Sequence, residues 1–248
     1  MFNPFSLEGK TILVTGASSG IGRGIAVDCS KMGAKIVLTG RDEKRLTETL
    51  QMLEGEGHFI VIADISKQED IESLAMQCPA VNGCVFSAGI AKLMPVKFID
   101  RTLLEEIINV NEMAPILLLA QLYRKKKLQN KASVIYIASL SGVYKSKIGE
   151  SIYAASKGGI AGFVKEAALE LSVKGIRVNT ICPAFIQTEM TKMYEGAITN
   201  VEKQEDLYPL KRLGVTQDVS YAAVYLLSDA SSWVTGVNLP VDGGYCLT

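Results

Sequence analysis

Seven short β-branched runs recur along this chain, separated by stretches with helical patterning, and that alternation restricts the fold more than any other feature. The runs are Thr11 to Val14, Lys35 to Leu38, Phe59 to Ile62, Gly83 to Phe86, Ser133 to Tyr136, Ile176 to Asn179 and Val237 to Pro240. Parallel strands need a crossover between them, and helices supply it. Strands alternating with helices therefore predict an α/β fold: a doubly wound, parallel, seven-stranded sheet with helices on both faces. No repeat, low-complexity stretch or linker interrupts the chain, and close to half of its 248 residues are apolar. That is enough for one core, so a single domain over 1–248 is expected, with no separate substrate domain.

The function classes narrow from charge and rare residues. Twenty-six basic and twenty-six acidic side chains cancel, which removes the positive field of a dedicated nucleic-acid binder and turns attention to small-molecule chemistry. Cys29, Cys78, Cys84, Cys182 and Cys246 form no C-x-x-C pair, as expected of unpaired thiols in a reducing compartment. His58 is the sole histidine, so a metal site or a Ser-His hydrolase would rest on one imidazole; no metal is expected. Residues Met1 to Lys10 lack a basic segment followed by a long apolar one, and the most apolar helix candidate, near Val110 to Tyr123, carries Asn111, Glu112 and Gln121. A cytoplasmic protein without a membrane segment is the expectation.

The first strand runs into T-G-A-S-S-G-I-G, with Gly16, Gly20 and Gly22 in a turn that opens a helix through Ile25, Ala26 and Cys29. Glycines let the backbone approach a pyrophosphate, and the helix N-terminus presents free N–H groups and a positive dipole end. Placed between an N-terminal strand and a second strand starting near Lys35, this turn predicts a Rossmann-type dinucleotide site, with Gly16, Ser18, Ser19, Gly20, Ile21 and Gly22 at the phosphates. Gly16 to Gly20 also reads G-x-S-x-G, the hydrolase nucleophile elbow. That reading needs a histidine late in the chain, and His58 comes far too early.

The nucleotide is read at the end of the second strand, where an acidic side chain would accept from the ribose 2′-hydroxyl of NAD. Here Gly40 and Arg41 follow Leu38 and Thr39. A guanidinium suits a phosphate and no carboxylate repels one, so NADP(H) is the expected cofactor. The plain alternative is a solvated arginine beside Asp42, Glu43 and Lys44. Arg23 is a second phosphate candidate.

Tyr153 and Lys157 lie four apart at the start of a helix continuing through Phe163, Ala167 and Leu171, and so share one face. An unperturbed phenol titrates at about 10. A nearby ammonium favours phenolate and draws the group toward neutral pH, where it can pass a proton to or from a substrate oxygen. Ser139 follows the fifth strand at the carboxyl end where ligands gather, and its hydroxyl could hold that oxygen; Ser141 competes for the role, and a turn or capping function is the alternative for both.

With these motifs in order, the chain resembles the short-chain dehydrogenase/reductase family over nearly its whole length. The resemblance implies that Asn111, Ser139, Tyr153 and Lys157 form a catalytic tetrad. In it Lys157 also binds the nicotinamide ribose and Asn111 holds a relay water. Asp64 would contact the adenine amino group and Ile186 and Thr188 would hold the nicotinamide carboxamide, with Ile65, Ala88, Gly89 and Pro183 also beside the cofactor. The ending Thr235 to Gly244 is similar to the family's last strand and subunit contact, which implies a homotetramer or at least a dimer. Two departures stand out: Phe86-Ser87-Ala88-Gly89 where the family commonly has N-N-A-G, and Pro183-Ala184 where it has P-G. The third helical segment, Asp70 to Gln77, also looks short.

The chain is similar to the family's bacterial 3-oxoacyl-acyl-carrier-protein reductases in its length, its Arg41, its F-I-Q-T-E-M-T stretch and its compact C-terminus. An acidic carrier would need a basic dock, for which Arg124 to Lys127 is one candidate, with a solvated helix end as the alternative. The runner-up substrate is a free small carbonyl or alcohol, sugar-derived, steroid or quinone. A catalytically silent nucleotide-binding regulator is a third reading, opposed by the intact Ser139, Tyr153 and Lys157. Thr188 to Val215 lacks strand periodicity and is expected either as a substrate lid or as a pair of packing helices.

Overall fold

The computed structural model describes residues 2–192 and 204–247. Seven strands, β1 (Thr11–Thr15), β2 (Lys35–Gly40), β3 (Phe59–Ile62), β4 (Val81–Phe86), β5 (Leu128–Ile137), β6 (Arg177–Pro183) and β7 (Asn238–Val241), form one sheet in the order β3-β2-β1-β4-β5-β6-β7. Every neighbouring pair is parallel. Helices α1 (Gly20–Lys31), α2 (Glu43–Leu50), α3 (Gln68–Gln77), α4 (Arg101–Ile108), α5 (Ala114–Arg124), α6 (Ser151–Leu171), a single turn α7 (Glu189–Lys192) and α8 (Thr216–Leu227) make the crossovers. The third helix is thus ten residues long, two more than its sequence pattern indicated.

The strands are apolar along their length because both faces are covered, and alternation sends neighbours to opposite cores. Leu13, Val37, Cys84, Phe86, Val134 and Tyr136 pack with α3, α5 and α6 through Leu74, Leu118, Ile160 and Val164. Ile12, Val14, Ile36, Leu38, Ile135 and Ile181 pack with α1, α2 and α8 through Ile25, Leu46, Val219 and Ala223. Phe86, at the first departure from the family pattern, is buried with its ring 4.8 Å from that of Tyr136. An aromatic pair on a buried face stabilises the sheet at this point.

The order of the strands reverses between β1 and β4, and a crevice opens there beyond their carboxyl ends. Thr15 ties its two sides: its Oγ1 accepts from the N–H groups of Ser87 at 3.1 Å and Ala88 at 3.2 Å. These bonds use backbone donors, so the loop after β4 keeps its place whatever side chains stand at 86 and 87. Among the described residues no helix is long and apolar enough to cross a membrane.

Candidate functional site

A cleft of about 800 Å³ runs along the carboxyl ends of the strands, a size suited to a cofactor with a small substrate. At one end lies the glycine turn. Gly16 has φ +66°, and a Cβ there would stand 2.8 Å from the Ala88 backbone; at Gly22 it would stand 2.3 Å from the Gly16 carbonyl oxygen. The turn, the loop after β4 and the start of α1 therefore interlock with no room for side chains, which leaves a bare backbone cradle at the helix N-terminus. Thr188 closes over it, with its Cγ2 3.5 Å from where a Gly20 Cβ would be. Thr188 is itself fixed by Thr191, whose Oγ1 accepts from Thr188 N at 2.8 Å and donates to Ile186 O at 2.9 Å.

Arg41, exposed at the end of β2, lines the same cleft and has no ion-pair partner among the described residues. Beside it the buried Thr39 Oγ1 has no hydrogen-bond partner among those residues. An exposed guanidinium without an ion-pair partner among the described residues, lining the same cleft as the glycine turn that opens α1, fits the 2′-phosphate and pyrophosphate of a dinucleotide. Arg23 does not share this role, because its guanidinium donates to Thr49 Oγ1 at 3.0 Å, Ser18 O at 2.5 Å and Glu48 Oε2 at 3.4 Å. It splints the turn instead. Arg45, which the sequence analysis passed over, lines the cleft and pairs with Glu189, bridging α2 to α7. Asp64 accepts from the Ser66 hydroxyl at 2.7 Å, and that bond, followed at a distance by the Arg41 charge, holds its carboxyl below the usual range.

At the other end, α6 brings Tyr153 and Lys157 beneath the end of β5. Lys157 is 5 % exposed, donates to Ile137 O at 2.8 Å, and places its ammonium 5.7 Å from the centroid of the Tyr153 ring. Burial lowers its pKa to about 8. Gly89 passes directly above, since a Cβ there would be 3.2 Å from Asn111 Oδ1 and 3.5 Å from Lys157 Nζ. Ser139 lines the same end, its Oγ accepting from Ser141 N at 3.1 Å.

Asn111 is the one predicted site residue that does not line the cleft. It is buried behind Gly89, where its Oδ1 accepts from Ile90 N at 2.8 Å and its Nδ2 donates to Ile90 O at 2.9 Å and Ser156 Oγ at 3.2 Å. It sits in a π-helical turn, Asn109–Met113, between α4 and α5, an interruption of a kind frequent at functional sites. All other predicted contacts, Ser18, Ser19, Ile21, Ile65, Ala88, Pro183 and Ile186 included, are on the cleft wall. Of the segment expected as a lid, 193–203 lie outside the described residues; Gln204, Leu207 and Tyr208 border the cleft, and Tyr208 stacks on Tyr245 at 5.0 Å. The Arg124 to Lys127 run precedes β5 at the opposite end of the sheet, roughly 20 Å from the cleft at about 3.3 Å per strand residue along the neighbouring β4. Lys127 there donates to Met76 O at 3.0 Å.

A dinucleotide cradle at one end of the cleft and a lysine-backed tyrosine beside a serine at the other define an oxidoreductase site. Residues 16–246 match the family model described as enoyl-(acyl carrier protein) reductase. The chain is 31% identical over 243 residues to the 3-oxoacyl-[acyl-carrier-protein] reductase FabG of Rickettsia prowazekii, covering 96% of this chain and 97% of that one. Among solved structures, a short-chain alcohol dehydrogenase, provisionally so assigned, from Sinorhizobium meliloti superposes with TM-score 0.92 at 30% identity over 99% of this chain and 100% of the other. An Agrobacterium tumefaciens protein provisionally assigned as a 2-deoxy-D-gluconate 3-dehydrogenase, with NADP bound, gives 0.90 at 31% identity over 100% of both chains. This chain belongs to the short-chain dehydrogenase/reductase family, and it is an oxidoreductase.

Proposed function

We propose that this protein is an NADP(H)-dependent carbonyl reductase whose substrate is a 3-oxoacyl group carried on an acyl-carrier protein. The observation that carries the reading is the convergence of Ser139, Tyr153 and Lys157 at one end of a cleft whose other end is a bare glycine cradle beside Arg41. The backbone of Gly16 to Gly22, Ser18 and Ser19 included, holds the pyrophosphate. Arg41 holds the 2′-phosphate, Asp64 and Ile65 flank the adenine, and Ala88 and Gly89 give the cofactor a flat floor. Pro183, Ile186 and Thr188 orient the carboxamide. When bound, NADPH supplies the hydride.

The chain's own residues manage the proton. Ser139 accepts a backbone bond and so has its hydroxyl proton to offer the substrate oxygen. Tyr153 donates the proton that oxygen requires as the carbonyl is reduced, and the neighbouring Lys157 ammonium favours the phenolate left behind. Because the Asn111 side chain is committed to Ile90 and Ser156, a relay water is held by its main chain, where the π turn interrupts the helical ladder.

A homotetramer in the cytoplasm fits this reading. A carrier gripped at Arg124 to Lys127 would serve the cleft of a neighbouring subunit, since its own lies at the far end of the sheet. A free small carbonyl is the second reading, favoured by an identity to the A. tumefaciens sugar dehydrogenase equal to that with the Rickettsia reductase. The described flanks of residues 188–215 then shape the pocket. Loss of NADPH absorbance with a 3-oxoacyl carrier-protein thioester, beside a panel of free ketones and keto-sugars, separates the two. Fast turnover of the thioester supports the first; turnover of free carbonyls alone replaces it with the second.

A further inference from the structure

Between β5 and α6 the chain builds a clamp on the Ser139 turn. Ser139 Oγ accepts from Ser141 N at 3.1 Å, and the Ser141 hydroxyl donates to the carboxylate of Glu150, the residue just before α6. Glu150 lines the cleft, yet its side chain is only 18% exposed, and its second oxygen faces Lys147 Nζ at 3.7 Å. The turn also presses on the helix backbone. Gly142 has φ +85°, a Cβ there would meet Ala154 O at 2.1 Å, and one at Gly158 would meet Gly142 O at 3.0 Å. On its other side Leu140 N donates to Pro183 O at 3.2 Å.

We infer that Glu150 is a positioning residue, which acts through Ser141 to fix the Ser139 hydroxyl relative to Tyr153; the inference rests on the roles proposed above for those two. Both Glu150 oxygens are engaged within the protein, one on the turn and one on Lys147. The residue sits three before Tyr153, so one rigid helix start carries the proton donor and the anchor of its partner. Such coupling matters because a reacting group misplaced by about 1 Å can cost on the order of a hundredfold in rate.

The test is steady-state kinetics of E150A, E150Q, S141A and the E150A/S141A double variant with NADPH and acetoacetyl-N-acetylcysteamine, with Y153F run alongside. Expected are kcat losses on the order of tenfold in both E150A and S141A with KM for NADPH unchanged, and a double variant no worse than either single one, as for two members of one linkage. E150Q, which retains an acceptor oxygen, should recover most of the rate. A crystal structure of E150A should show Ser141 N and Ser139 Oγ drawn beyond about 3.5 Å. Wild-type kcat in E150A, additive losses, a silent S141A beside an impaired E150A, or an unchanged Ser139 turn would each overturn the inference. Should E150A not fold, E150Q and S141A decide it: a wild-type rate in S141A overturns it. An inactive Y153F beside a fully active E150A removes this inference alone, whereas turnover by Y153F removes it together with the proposed roles.

Discussion

Replacing Lys157 by methionine should change the pH dependence of stability in a defined window. Burial brings the folded-state pKa to about 8, against about 10.4 in an unfolded chain. At about 1.4 kcal/mol per pH unit, that gap amounts to a burial cost of ~3 kcal/mol. Between the two values the unfolded chain binds more protons than the folded one, so wild-type stability rises with pH there; below the lower value the cost is present in full. Methionine has a similar length and no charge. Relative to the wild type, K157M should therefore lose ~3 kcal/mol of its advantage as pH is raised from 7 to 10.5. At pH 7 part of that advantage is offset by the lost bond to Ile137 O, worth about 1 to 3 kcal/mol. Urea unfolding of nucleotide-free protein at one fixed concentration, at several pH values, gives the difference curve, in which groups that do not interact with Lys157 cancel; Y153F as the common background removes the neighbouring phenol. Parallel curves for the two proteins would refute the argument that burial sets the state of this lysine.

Two other outcomes follow from the geometry. Arg41→Ala should raise the KM for NADPH on the order of tenfold or more, as expected for one lost charge-assisted contact, and leave that for NADH nearly unchanged; equal effects on both would remove Arg41 from the 2′-phosphate. Asn111→Ala strips the half-buried Ile90 of its partners for both N–H and C=O, which should destabilise the fold by about 1 to 3 kcal/mol, while an unchanged thermal midpoint would show that these two bonds are dispensable.

Much of this architecture could be read from the chain because its chemistry is local. Ile12 to Val14 and Lys35 to Leu38 announce strands buried on both faces, and the glycine turn announces a phosphate site because no other residue fits where backbone meets backbone. Boundaries were less visible where tertiary contacts set them. β5 begins at Leu128, ahead of the polar Gln129, Asn130 and Lys131, with Lys131 at φ 63° and a register shift against β4 between Val81 and Gly83. The π turn at Asn109–Met113 leaves no mark in composition, since it is a slip of hydrogen bonding within a continuous helical pattern. Nor does sequence alone separate Arg23 from Arg41; both are cations near the phosphate turn, and only the partners of Arg23 reveal a splint. Glu150 was overlooked for the same reason: its role depends on Ser141, nine residues earlier in sequence, folding back onto the helix start.

The central claim is that Tyr153 donates the proton. NADPH binding and turnover, measured side by side on Y153F, test it most directly, because the ring and its packing survive while the hydroxyl is lost. The expected result is a Kd for NADPH close to that of the wild type with turnover reduced on the order of a hundredfold or more. A Y153F enzyme that still turns over at the wild-type rate would contradict the account.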